Sequence, residues 1–156
     1  MQLNLLKNNI CEDLLNTLRD RLKHSEVVTL DDFNSSIKTY DLIVAVDDCN
    51  NLLGYAIFAP YSSLRPNNIL DDLYEPDRFD EYVDSLNNNL ANGVYLKGLE
   101  VFPEHQDIGV GSALFNEILK LKVPILLYSL GESISFWEEK GFDMFEEGGY
   151  WEIYSW

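Results

Sequence analysis

The chain has 156 residues, is 46% hydrophobic and carries a formal net charge of −16. That length and composition suit a folded domain with its own core rather than a disordered chain. The acidity excludes nucleic acid as a partner, because such a surface repels a phosphate backbone. No apolar run is long enough to span a bilayer, so no membrane association is expected. The start of the chain lacks a basic segment followed by a small-residue cleavage site. Cys11 and Cys49 lack metal-ligand spacing and do not form a disulfide framework, so no metal is expected and a reducing cytoplasm is the expected compartment.

In chain order, residues 2–7 read as a short first strand. Residues 9–23 place Ile10, Leu14, Leu15, Leu18 and Leu22 on one helix face. Thr29 is a candidate cap for a second short helix through Phe33. Residues 42–46 form a buried-strand run, 47–51 a turn cluster, and 52–59 the hairpin partner. Residues 62–92 depart from this pattern. They hold Pro66, Pro76, seven carboxylates and only two arginines, with one amphipathic helix expected through Phe79, Val83, Leu86 and Leu90. This segment reads either as a decorated surface insertion or as a lid for a cationic substrate.

Residues 94–102 are the next strand, and 109–122 the helix that follows it. Residues 124–128 form another buried strand, and 133–140 a short helix stopped by Gly141. Strands at 142–145 and 150–154 flank Gly148-Gly149, a hairpin turn signal. The aromatic last strand reads either as sheet packing or as a homodimer contact. The order predicts one mixed α/β domain over residues 1–156, with a single central sheet flanked by helices.

The functional signal lies in Gln106-Asp107-Ile108-Gly109-Val110-Gly111-Ser112, between a strand and a helix start. The first amides of a helix have no internal acceptor, and the helix dipole adds positive charge there, so such a junction seats anions. Glycines let a phosphate approach the backbone without meeting a Cβ. A dinucleotide fingerprint needs a third glycine where Leu114 stands, and a nucleotide P-loop needs Lys after its last glycine, where Ser112 stands.

The segment Leu99–Leu114 instead resembles motif A of the GNAT (GCN5-related) N-acetyltransferases, Gln/Arg-x-x-Gly-x-Gly/Ala, preceded by Val101-x-Pro103. Residues 133–142, Ser-Ile-Ser-Phe-Trp-Glu-Glu-Lys-Gly-Phe, resemble motif B. The resemblance implies a GNAT-like sheet whose strands splay to form an acyl-CoA cleft, with acetyl-CoA as co-substrate. The amides of Ile108, Gly109, Val110, Gly111 and Ser112 would take the pyrophosphate, with Gln106 and Asp107 in the same loop. Leu99 and Val101 would pair with the pantetheine arm, and Phe136 and Trp137 would pack near the thioester. An amine of a small molecule or peptide, a cationic one by the acidity of the chain, would attack the thioester directly. Trp137 stands where motif B often has a tyrosine acid, which makes Tyr128 the candidate acid. Glu100 is the candidate base, although strand alternation points it away from the face of Leu99 and Val101 unless a bulge intervenes; Tyr95 and Lys97, which share that other face, are further candidates. The alternative is a GNAT-like domain that binds acyl-CoA or a protein partner without turnover.

Overall fold

The computed structural model describes residues 2–60, 92–129, 133–146 and 150–154. The expected insertion at 62–92, its helix and the Gly148-Gly149 turn lie outside these residues. The chain divides into two compact units, one built from Met1–Phe58 and Lys97–Leu121, the other from Ala59–Leu96 and Lys122–Trp156.

In the first unit, strand β1 (Asn4–Lys7) leads to helix α1 (Glu12–Leu22) and helix α2 (Leu30–Ser36). The predicted helix from Asn9 starts later. Asn8 and Asn9 both have positive φ (50° and 48°), a conformation outside the right-handed helical region that asparagine tolerates better than most residues. Thr29 does cap α2: its Oγ1 accepts the Asp32 N–H at 3.1 Å.

Strands β2 (Asp41–Val46) and β3 (Leu52–Pro60) form an antiparallel hairpin, and β1 pairs with β2. In the turn, Asp47 accepts the N–H groups of Cys49 (2.8 Å) and Asn51 (2.9 Å). Leu14, Leu18, Leu22, Phe33, Val44 and Tyr55 belong to one buried cluster, which covers the α1–α2 face of the sheet. Apolar residues at helical spacing meet alternate strand residues there, and their burial is the main source of stability.

Strand β4 (Val94–Val101) contributes its second half to this unit. A Cβ added at Gly54 on β3 would lie 2.6 Å from the Glu100 carbonyl oxygen, so β3 and β4 are in close contact here. A 3-10 turn at Pro103–His105, absent from the sequence reading, follows β4; proline at its start is the signal. Helix α3 (Val110–Leu119) then buries Val110, Leu114, Phe115 and Ile118. It ends before the expected Lys122, whose φ of 54° is incompatible with the helix.

In the second unit, the first residues of β4 pair in parallel with β5 (Ile125–Ser129) over Val94–Ile125, Tyr95–Leu126 and Leu96–Leu127. Strand β7 (Tyr150–Tyr154) is antiparallel to both β5 and β6 (Asp143–Glu146). The sheet is therefore mixed, as expected. Helix α4 (Ile134–Glu139) ends at Gly141, whose φ of 92° lets the Phe142 N–H return to the Trp137 carbonyl at 3.2 Å. No helix among the described residues is long and apolar enough to cross a membrane.

Candidate functional site

The segment from Val101 to Ser112 is a strand end, a 3-10 turn, a short loop and a helix start. Three contacts fix it. The Phe102 N–H donates to the Leu53 carbonyl at 3.0 Å, which ties the strand end to β3. Gln106 Nε2 donates to the Val101 carbonyl at 3.0 Å, so this side chain folds the loop back onto its own strand. Arg21 on α1 stacks over the Phe102 ring at 4.2 Å and pairs with Glu104. The loop is thus braced from α1 and β3 before it reaches the glycines.

Asp107 (φ 64°) and Gly109 (φ 90°) both adopt left-handed backbone conformations, and Gly109 is the N-cap of α3. The Ala113 N–H closes onto the Gly109 carbonyl at 3.0 Å. The Val110 and Gly111 amides lie upstream of that bond, where a helix offers no acceptor of its own. Gly109 is exposed, and an added Cβ there would have nothing within 4 Å. The approach to these amides is open, so the residues present fit a diphosphate. The Ile108 side chain is 54% exposed.

Conformation, not space, is what alanine would disturb at Gly109. Gly109→Ala is expected to cost roughly 1–2 kcal/mol of stability through the left-handed penalty. Acetyl-CoA affinity should fall with it as the loop relaxes. Urea unfolding and titration calorimetry on the variant check both; wild-type values for both would mean that the left-handed cap does not organise the loop.

Glu100 sits on the α1–α2 face of β4, as alternation predicts. Its Oε1 accepts two hydrogen bonds, one from the Tyr55 hydroxyl at 2.9 Å and one from Ser25 Oγ at 2.9 Å. Ser25 Oγ in turn accepts the N–H groups of Val27 (3.0 Å) and Val28 (3.3 Å). Tyr55 is fully buried. Burial pushes its pKa well above the ordinary value of 10.0, and the Glu100 charge adds to this, so the hydroxyl keeps its proton. Sequence reasoning did not find Tyr55 or Ser25. The available signal was a tyrosine within an apolar strand, since a buried phenol needs a hydrogen-bond partner.

Lys97, one of the residues sharing the opposite face, lies 5.8 Å from the centre of the Tyr40 ring. Leu99 and Val101 are half-buried on that face.

In the second unit, Trp137 is only 6% exposed. It meets Phe136 edge-on at 4.8 Å and Phe142 at 5.3 Å. Phe136 remains half-buried, with Lys140 at 5.4 Å from its ring centre. Tyr128 lies on β5 opposite Trp151 of β7.

No protein-family model matches this sequence, and no curated protein matches it. Solved structures do. The Bacillus subtilis N-acetyltransferase YlbP in complex with coenzyme A is 15% identical, covers 99% of this chain and 97% of its own, and superposes with a TM-score of 0.65. Arabidopsis thaliana NAA60 in complex with acetyl-CoA is 14% identical, with 97% and 98% covered and a TM-score of 0.65. A GNAT-family acetyltransferase of Staphylococcus aureus is 14% identical, with 99% and 98% covered and a TM-score of 0.60. The chain has the fold of the GNAT acetyltransferases.

Proposed function

We propose that this protein is a GNAT-type N-acetyltransferase that transfers the acetyl group of acetyl-CoA directly to an amine. The observation that carries this reading is the left-handed Gly109 cap on α3, which places the Val110 and Gly111 amides at the start of the helix, upstream of its first internal bond, in a chain whose fold neighbours include proteins solved with coenzyme A and acetyl-CoA. One domain spanning residues 1–156, with its acidic insertion, would supply all the parts.

The amides from Ile108 to Ser112 would hold the diphosphate, and Gln106 would act by folding the loop. The pantetheine arm would pair with the backbone of Leu99–Val101 as an added strand; the parallel ladder of β4 with β5 stops before this stretch, at Leu96. Phe136 and Trp137 are proposed to shape the thioester end, Phe136 as the more accessible ring.

The reaction is R–NH3⁺ + acetyl-S-CoA → R–NH–acetyl + CoA-SH + H⁺. The ammonium first gives up a proton, since an alkylamine titrates near ~10.4. The freed lone pair attacks the thioester carbon and the C–N bond forms. The C–S bond then breaks, the sulfur leaves with its electron pair and takes up a proton from the donor, and the new amide nitrogen sheds its second proton, which restores the donor. Glu100 is proposed as the base and Tyr128 as the donor to sulfur. The net charge of −16 favours a cationic amine, on a small molecule or a peptide, and the cytoplasm is the proposed compartment.

Thiol release from acetyl-CoA across a panel of alkylamines and basic peptides tests this reading. Saturable, amine-dependent release is expected. Coenzyme binding with no release for any amine would favour a non-catalytic acyl-CoA-binding domain, and no binding at all would remove the coenzyme from the account. Tyr128→Phe should lower kcat by about a hundredfold, the lower end of what positioned acid–base groups supply. Trp137→Phe should cost less activity and more stability, because the indole is packed in a core cluster. The opposite ranking would move the acid role away from Tyr128.

A further inference from the structure

We propose that Tyr55 and Ser25 are positioning residues that hold Glu100 as the amine-deprotonating base, by occupying one of its carboxylate oxygens and leaving the other open. This inference rests on the transferase reading and deepens it.

The geometry makes the case. Both donors converge on Oε1, at 2.9 Å each, while Oε2 has no partner among the described residues. A carboxylate pinned through one oxygen cannot rotate freely, so its second oxygen keeps a fixed direction. The pins come from different parts of the unit. Tyr55 lies on the neighbouring strand β3, and Ser25 lies in the α1–α2 connection, where two backbone N–H groups fix its hydroxyl. Glu100 itself is half-buried, partly screened from water yet accessible.

The chemistry fits this division of labour. Tyr55 donates its proton permanently in a buried setting, so it serves as an anchor and does not take part in proton transfer. Glu100 Oε2 takes the proton from the incoming ammonium, directly or through one water, and passes it to solvent after the amide forms. Leu99 and Val101, its chain neighbours, carry the backbone proposed to hold the pantetheine arm. Base and thioester would then be set by the same three residues of β4, with the amine entering beside the α1–α2 connection that holds Ser25. Strand alternation sets Glu100 opposite the side chains of Leu99 and Val101, so the proposed geometry relies on the arm pairing with their backbone and not with their side chains.

A double-mutant cycle tests the proposal, using an amine accepted by the wild type. Glu100→Gln keeps the shape and the acceptor oxygen but removes the base, and should lower kcat at least about a hundredfold. Tyr55→Phe removes one hydroxyl and should lower kcat about tenfold, the scale of one hydrogen bond to a charged group. Both should leave the acetyl-CoA Kd within about twofold, well inside the tenfold that 1.4 kcal/mol would produce. In the Glu100→Gln background, adding Tyr55→Phe should change kcat by less than about twofold, because the anchor acts only through the base. Ser25→Thr should retain the rate that Ser25→Ala loses.

A purely structural hydroxyl would change melting temperature but not kcat, and that result overturns the proposal. So does an equal tenfold loss from Tyr55→Phe in both backgrounds. If the wild type binds acetyl-CoA and releases no thiol with any amine, the transferase reading falls and the proposal falls with it. Full turnover by both Tyr55→Phe and Ser25→Ala overturns the proposal alone.

Discussion

Gly111→Glu is expected to abolish acetyl-CoA binding without unfolding the protein. Gly111 is the second residue of α3, in the turn whose amides are proposed to hold the diphosphate. A glutamate there does two things. Its carboxylate competes for those amides, and it places a negative charge beside the phosphates. Like charges ~4 Å apart at the partly screened dielectric of a protein surface repel by about 4 kcal/mol, close to a thousandfold in affinity. Stability should move the other way. Replacing a helical glycine recovers roughly 0.5–1 kcal/mol, and an acidic side chain in the first turn suits the helix dipole. Titration calorimetry should show no saturation at millimolar coenzyme, while the thermal midpoint stays level or rises. Gly111→Gln separates bulk from charge and should bind more weakly than wild type but more tightly than the glutamate variant. Wild-type affinity in Gly111→Glu would show that the diphosphate does not sit at this helix start.

That outcome would test the part of the site that local sequence made most legible. Glycine spacing after a strand reports on backbone geometry within a few residues, and the structure adds that Gly109 is left-handed, a conformation glycine adopts without a Cβ penalty. Elements were legible for the same reason: the α1 positions Leu14, Leu18 and Leu22 and the α3 positions Val110, Leu114 and Ile118 repeat at helical period and are buried. Element ends were less so, because Asn8, Asn9 and Lys122 take positive φ through choices that residue type permits but does not dictate.

The Tyr55–Glu100–Ser25 network was hidden for a different reason. Its bonds join residues 45 and 75 positions apart, and no local period encodes such a contact. Alternation correctly placed Glu100 on the opposite face from Leu99 and Val101. It could not show that this face holds a buried phenol and a serine fixed by two backbone amides. Trp137 illustrates the converse. Motif position proposes it beside the coenzyme, and its edge-on packing against Phe136 and Phe142 is a further, structural role that the motif alone does not reveal.

Gly54→Val should be the most damaging single substitution in the first unit outside the loop itself. An added Cβ at Gly54 meets the Glu100 carbonyl oxygen at 2.6 Å and the Val101 Cα at 3.2 Å. These are backbone atoms, so no rotamer change relieves the contact, and β4 must move away from β3. Overpacking of this kind costs about 1–3 kcal/mol, more where backbone must shift. The displaced stretch contains Glu100 and Val101, and its movement would also draw Glu100 away from Tyr55, the residue after Gly54. Loss of stability, acetyl-CoA binding and transfer should therefore coincide in this variant, with Gly54→Ala intermediate in all three. Gly109→Ala provides the contrast, since strain without collision should cost less stability and leave transfer measurable. Urea unfolding, coenzyme calorimetry and thiol release on the three variants check the ranking. A Gly54→Val protein with wild-type stability would mean that β3 and β4 do not approach each other at this point, and the placement of Glu100 against Tyr55 would fall with that contact.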